Sequence, residues 1–196
     1  MPTPPSLAAL LDAVVPSDDK ESQDLALLRG YAHSLAQPFS HQQAAAHFTG
    51  SGLVTDGFRV ALIFHRKLSR WLQPGGHAEP EDGGDLFRTA LREVREETGL
   101  TVRPHPSAPR PLDVDVHAIP ARGESPAHLH LDVRFLLVAD KDAALLGQAS
   151  EVSAVRWFAW DEAVRQADDA SLRRLLGKAA LYVTAPERGP GPPLAR

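Results

Sequence analysis

Between Asp85 and Gly99 the apolar positions recur with helical spacing, and Phe87, Leu91, Val94 and Thr98 fall on one stripe. Asp85 is placed to cap the first turn, and Gly99 to end the last one in a left-handed conformation. Two later stretches alternate instead. Residues 112–119 (LDVDVHAI) and 128–138 (HLHLDVRFLLV) have period two, and the loop over residues 120–127 joins them as an antiparallel pair. Asp113, Asp115 and His117 share one face of the first strand. His128, His130, Asp132 and Arg134 share one face of the second. Residues 52–54 and 58–65 are β-like and flank Thr55-Asp56-Gly57, where Asp-Gly signals a hairpin. A short extended piece over residues 71–73 precedes Pro74-Gly75-Gly76. Val102 opens another strand, residues 104–111 form a proline-rich loop, and residues 152–158 read as a further strand. Asp161 opens a helix, and residues 171–182 form the last one.

The start of the chain is helical in pattern. Leu7, Leu10, Leu11 and Val14 make a short stripe. Asp18 and its neighbours cap a longer helix marked by Leu25, Leu28, Tyr31 and Leu35, which stops at Pro38. Ser40 is placed to cap a third short helix over residues 41–48. The expected organisation is a helical appendage over residues 1–49, an α/β or α+β domain over residues 50–185, and a flexible Pro/Gly-rich tail over residues 186–196.

Composition narrows the chemistry. The chain has 196 residues, 43% hydrophobic and 23% charged, enough for one substantial core. A formal net charge of -4 provides no basic field for extended nucleic acid, although a single nucleotide needs only local cations. There is no cysteine, so disulfides, thiolate nucleophiles and cysteine-based zinc sites are excluded. The first residues lack a basic n-region, and Asp12 breaks their apolar run. No stretch reaches membrane-spanning length, so a cytoplasmic protein with no membrane partner is expected.

The helical stretch also carries Glu93, Glu96 and Glu97, which a 100° step gathers opposite the apolar stripe. They occupy the last two turns, where the macrodipole is negative and acidic side chains are disfavoured. Like charges at these spacings cost a few tenths of a kcal/mol more each. Arg92 and Arg95 offset part of this. The ordinary reading is a solvated charged face. A sequence that gathers anions at the unfavourable end of a helix instead supplies them to a cation, and Mg²⁺ takes oxygen ligands of this kind.

These residues resemble a known family. Gly75-Gly76 followed by Arg92-Glu93-Val94-Arg95-Glu96-Glu97-Thr98-Gly99-Leu100 is similar to the Nudix box, and every fixed position of its second half is met. The preceding Trp-Leu-Gln-Pro-Gly-Gly-His and the later Arg156-Trp157-Phe158 with Asp161-Glu162 extend the likeness. It implies a Nudix-like α/β/α sandwich with a mixed sheet, here with extra N-terminal helices. It also implies metal-dependent hydrolysis, with Mg²⁺ or Mn²⁺, of a nucleoside diphosphate linked to another moiety or of a nucleoside triphosphate. By resemblance Glu93, Glu96, Glu97 and the Gly76 carbonyl are metal ligands, and Arg92 orients a glutamate. A further acid from a later loop is expected at Glu151, with Glu124 second.

The front of the box departs from the pattern. Asp82 stands where a glutamate is usual, and nine residues instead of seven separate it from Arg92, as if Gly83-Gly84 were inserted. Asp82, Glu81, Asp85 and Glu79 are the candidates to replace that glutamate.

Substrate contacts are expected from Arg66 and Lys67 to phosphates, from Trp71 by stacking unless it is core, and from His77 and Glu79 in the loop. The His128-x-His130 pair suits zinc by type, against the plainer reading of a polar sheet face with cross-strand pairs. The expected partner is a small nucleotide or diphosphate. Two other readings are a Nudix module that senses a nucleotide without cleaving it, and an isoprenoid diphosphate isomerase. Sensing modules usually lose box carboxylates, and the isomerases use an active-site cysteine.

Overall fold

The structure is a computed structural model, and it describes residues 6–43, 45–123, 126–147 and 152–183. Two helices come first, α1 (Leu7–Asp12) and α2 (Asp19–Ser34), followed by strands β1 (Ala46–Thr55), β2 (Arg59–His65), β3 (Arg70–Leu72) and β4 (Gly75–His77). A 3₁₀ turn over Pro80–Asp82 leads into α3 (Leu86–Thr98). Strands β5 (Val102–Pro104), β6 (Asp113–Ile119), β7 (His128–Ala139) and β8 (Val152–Ala159) follow, then α4 (Trp160–Gln166) and α5 (Ala170–Val183).

The eight strands form one sheet in the order β3-β2-β1-β7-β5, with β4 beside β1, β6 beside β7 and β8 beside β2. Among the described residues only the β1–β7 pair is parallel, running from Ala46↔Leu129 to Thr55↔Val138, so the sheet is mixed. The hairpin expected at Asp56-Gly57 is present. Asp56 Oδ1 accepts from the backbone of Phe58 (2.9 Å) and Arg59 (2.7 Å).

Side chains alternate across this sheet, so each face builds its own core. On one face Phe48, Leu131, Val133 and Phe135 pack under Leu86, Ala90 and Val94 of α3, joined by Leu25 and Leu28 of α2. On the other, Leu53, Leu62, Leu136 and Phe158 pack under Ala163 of α4 and Leu172, Leu175 and Leu176 of α5. Helices thus cover both faces, and the expected α/β/α sandwich with extra N-terminal helices is the observed fold. No helix among the described residues is long and apolar enough to cross a membrane.

One expected element is not formed. Ser40 caps only a turn, with Gln42 N at 3.3 Å from its hydroxyl, and from Ala46 onward the chain is strand rather than helix. The reason is non-local. Every residue from Ala46 to Thr55 lies opposite a residue of β7, and all ten are buried. That pairing overrides the weak local preference of an Ala-rich stretch.

Candidate active site

Helix α3 begins and ends where its capping residues place it. Asp85 Oδ1 accepts from Phe87 N at 3.0 Å, and Gly99, at φ 74°, returns its N–H to Arg95 O at 2.9 Å. Its buried side is rotated slightly from the expected stripe. Leu86, Ala90 and Val94 form the buried line, while Phe87 and Leu91 are only half-buried. This rotation draws Glu97 inward to 7% exposure, leaves Glu93 half-buried and keeps Glu96 in solvent. The three glutamates therefore do not share one open face, as the helical wheel implied; they grade from buried to exposed.

The Gly-Gly strand β4 meets this gradient closely. Gly75 N donates to Glu97 Oε2 at 3.0 Å. A Cβ on Gly76 would fall 2.5 Å from Glu93 Oε1, so only glycine lets the backbone reach that carboxylate.

Arg92 organises the acids. Its Nη1 donates to Glu93 Oε1 (2.9 Å) and Glu96 Oε2 (3.2 Å), and its Nη2 to Asp82 Oδ2 (3.0 Å) and the His77 carbonyl (2.7 Å). Such a planar fork suits several carboxylates at once. Among the four front-acid candidates, Asp82 is the one Arg92 holds. Asp82 also accepts from Thr89 Oγ1 at 3.0 Å and from Glu79 N at 2.9 Å. Burial works to raise the Asp82 carboxyl, but the Arg92, Glu79 and Thr89 hydrogen bonds hold it below the usual range. Asp85 is committed to the cap, Glu79 opens the 3₁₀ turn, and Glu81 is exposed. The two extra residues, Gly83 and Gly84, sit at φ 65° and 76° and turn the chain between Asp82 and the cap.

Glu93 behaves in the opposite way to Asp82. Burial pushes its carboxyl upward, and Glu96 and Asp82 add to this against the pull of Arg92. One guanidinium is spread over three carboxylates here. Oxygen donors crowded with incomplete charge compensation, beside a backbone brought within reach by glycine, fit a divalent ion such as Mg²⁺ or Mn²⁺.

The other expected substrate contacts are dispersed. Arg66 and Lys67 are exposed in the turn after β2, where Arg66 Nε donates to Val152 O at 3.2 Å. Trp71 is half-buried against the α5-side core, with edge-on contacts to Phe64 and Phe158. His77 gives only its carbonyl to the box; its ring lies with other imidazoles on the opposite side of the strand. Glu151 and Glu124 lie outside the described residues.

That opposite side is a polar surface ordered by strand register. Across β1, β7 and β6 the rows are His47–His130–His117, Thr49–Asp132–Asp115 and Ser51–Arg134–Asp113. Asp132 accepts from Ser51 Oγ (2.7 Å to Oδ1), Thr49 Oγ1 (3.0 Å) and Arg134 Nε (2.8 Å). Arg134 also pairs with Asp113 and Asp115, each at 3.3 Å. Arg174 of α5 reaches Asp113 Oδ2 at 2.9 Å, and Lys20 of α2 reaches Asp115 Oδ1 at 3.0 Å. Burial opposes ionisation of Asp115, yet Arg134, His117 and Lys20 hold it far below the usual carboxylate range. Asp113, more deeply buried, is instead raised. The plain sequence reading of a polar face with cross-strand pairs describes β6 and β7 well. It did not foresee that α2 and α5 supply cations to it.

The first row is all imidazole. The His47 ring centroid lies 4.9 Å from those of His77, His128 and His130. Burial, with the neighbouring imidazoles, lowers His47 to about 4 and His130 to about 2. His47 was missed from sequence because its stretch was read as helix, and no local signal placed it beside His128-x-His130.

Comparison with known proteins agrees with this geometry. The family model described as the NUDIX domain matches residues 49–178, more than half of the chain, and the chain belongs to the Nudix family. It is a Nudix-type hydrolase acting on diphosphate bonds, in a family whose members generally need divalent metal ions. Among solved structures it is similar to an Ap4A hydrolase of C. elegans in a binary complex. The identity is 19% and the TM-score 0.54, over 69% of this chain and 96% of that one. It is also similar to the NUDIX domain of NrtR from Shewanella oneidensis, complexed with ADP ribose. There the identity is 17% and the TM-score 0.50, over 80% of this chain and 98% of that one. At these identities the two structures speak for the fold.

Proposed function

We propose that this chain is a pyrophosphohydrolase that uses Mg²⁺ or Mn²⁺ to cleave a nucleoside diphosphate linked to another moiety, or a nucleoside triphosphate. The observation that carries this is the Arg92 fork. A single guanidinium orders Asp82, Glu93 and Glu96 without neutralising them, while Gly75 and Gly76 bring backbone against Glu97 and Glu93.

In this reading Glu93, Glu96, Glu97 and the Gly76 carbonyl hold the ion, and Asp82 anchors Arg92 from the loop side. An ion held there would offset charge on the diphosphate and make a water more acidic. The residues' own work is orientation. Arg92 fixes the Glu93 and Glu96 carboxylates, and Gly75 N fixes Glu97. A box carboxylate then accepts the proton of the attacking water. Arg66 and Lys67, exposed in the turn after β2, are proposed as contacts for substrate phosphates, and His77 and Glu79 line the loop that precedes the helix. Glu151 is proposed as the further acid.

The two neighbours, described as an Ap4A hydrolase and as an ADP-ribose complex, support a search among nucleoside diphosphate derivatives. Retention of Arg92, Glu93, Glu96 and Glu97 favours catalysis over sensing, and the absence of cysteine disfavours the isomerase.

The test is a panel of nucleoside diphosphate derivatives and triphosphates with Mg²⁺ or Mn²⁺, reading released phosphate and nucleotide. Glu97→Gln keeps an acceptor for Gly75 N but removes one anion, and it is expected to abolish turnover with an unchanged circular dichroism spectrum. Wild-type rates in that variant would overturn the assignment.

A further inference from the structure

We propose that His47, His128 and His130 form a second metal site, for one zinc-class transition-metal ion, on the sheet face opposite the acidic helix. Among the described residues these three each offer a ring nitrogen, and the three nitrogens lie within 4.8 Å of one another. The parallel register of β1 and β7 puts His47 directly beside His130, and the two-residue period of β7 puts His128 on the same side. A tetrahedral ion with bonds of about 2.0–2.1 Å needs ligand atoms roughly 3.4 Å apart. Side-chain rotation has to close the present spacing to that value for an ion to bind.

His47 points most directly to a ligand. It is 1% exposed, and neither of its ring nitrogens makes a hydrogen bond of normal geometry. The backbone of Gln43 lies near enough to favour its protonated form, to a lesser extent than burial and its imidazole neighbours disfavour it. Buried polar atoms are nearly always satisfied, and one left open among other nitrogen donors is most simply completed by a cation.

The other two rings each have a partner on one nitrogen, and that of His128 is a backbone carbonyl, the kind of contact that orients metal-bound imidazoles. His128 Nδ1 donates to the Pro126 carbonyl at 2.9 Å, which leaves the lone pair on its Nε2. His130 Nε2 lies 3.2 Å from His77 Nε2, so that ring too has a partner on one nitrogen. Among the described residues, the carboxylate hydrogen-bonded within the row is Asp115, and it is taken by His117. Three imidazoles without a carboxylate suit Zn²⁺, Co²⁺, Ni²⁺ or Cu²⁺ and are poor ligands for Mg²⁺.

The site shares no ligand with the acidic helix. A Cβ on Gly76 would point at Glu93, and the next side chain along β4, His77, points the other way, to His47 and His130. The strand therefore separates the two groups, and the proposal stands or falls independently of the hydrolase site.

The experiment uses the full chain without a histidine tag, stripped with chelator and titrated with CoCl₂ in excess Mg²⁺. One equivalent of Co²⁺ is expected to develop visible absorption typical of a four-coordinate nitrogen site, and ZnCl₂ should displace it. Glu97→Gln should bind Co²⁺ as the wild type does. His128→Ala and His130→Ala, both at partly exposed positions, should fold normally by circular dichroism and bind at least 100-fold more weakly. His47→Gln should weaken binding likewise. Absence of the absorption in the wild type would overturn the proposal. So would full binding in both His128→Ala and His130→Ala, or its loss in Glu97→Gln.

Discussion

On the α3 side of the sheet, Asp82, Glu93 and Glu96 share one guanidinium, that of Arg92. On the opposite side Asp113, Asp115 and Asp132 are met by Arg134, Arg174 and Lys20, drawn from three different elements. Both groups lie against the same sheet, yet the aspartates draw on several cations, shared with Glu21 and Asp24 of α2, while the box acids draw on one. A buried acid that serves structure must be neutralised, because an unpaired charge in the interior is costly. An acid whose charge is only partly met, as at the half-buried Glu93 and the exposed Glu96, is tolerated because solvent, or an ion, completes it. The number of cations supplied distinguishes the two groups without reference to any motif.

The largest expected effect falls on the aspartate side. Arg134→Met would remove the cation that Asp113, Asp115 and Asp132 share and leave Asp132 with hydroxyl and amide donors alone, and removing one partner of such a network costs about 3–5 kcal/mol. Urea unfolding should show that loss; an unchanged midpoint would mean that the aspartates are not held by Arg134.

The matching change on the other side is Arg92→Lys. Lysine keeps the charge but not the fork, so kcat should fall about 10–100-fold, in line with other changes to groups that support metal ligands. The melting temperature should move little, because Glu96 is exposed and Arg92 remains partly hydrated. A large stability loss with intact turnover would reverse the roles given to the two sides.

Acid should act on the imidazole row before it acts on the aspartates. Below the ordinary histidine value of 6.5 the unfolded chain takes up protons, whereas native His47 resists until about 4 and His130 until about 2. The unfolded state then binds more protons, so stability falls as pH drops through this window. Asp115 adds a second loss below 3.8, where its unfolded form is protonated and its native form still ionised. Melting of chelator-treated protein from pH 7 to 4 should show the first decline, and His47→Gln should flatten it. A flat wild-type profile would contradict neutral, buried imidazoles.

The smallest effect tests the helix itself. Asp85→Ala removes one cap and should cost about 1 kcal/mol, read by the same unfolding experiment.

Legibility in the sequence followed the range of the interactions. The α3 boundaries, the Asp56-Gly57 hairpin and the alternating β6–β7 pair depend on neighbours a few residues away, and all appear as read. The stripe of α3 was off by a small rotation, because its true floor is β1 and periodicity alone does not show where a partner lies. That rotation changed Glu97 from a surface anion to a nearly buried one held by Gly75. The start of β1 was misread as helix because its partner β7 is some eighty residues away.

The sequence by itself determined the acidic helix, its caps, the Gly-Gly strand before it and the hydrolase family they define. Those are short-range patterns, and each residue type has one local use that explains it. Only the tertiary structure decided that Asp82 is the candidate front acid that Arg92 holds, and that Arg134 is held by Asp132 of its own strand and by Asp113 and Asp115 of β6. It alone placed His47 beside His128 and His130. These arrangements arise from strand register, and register is set by burial of whole faces rather than by any nearby residue.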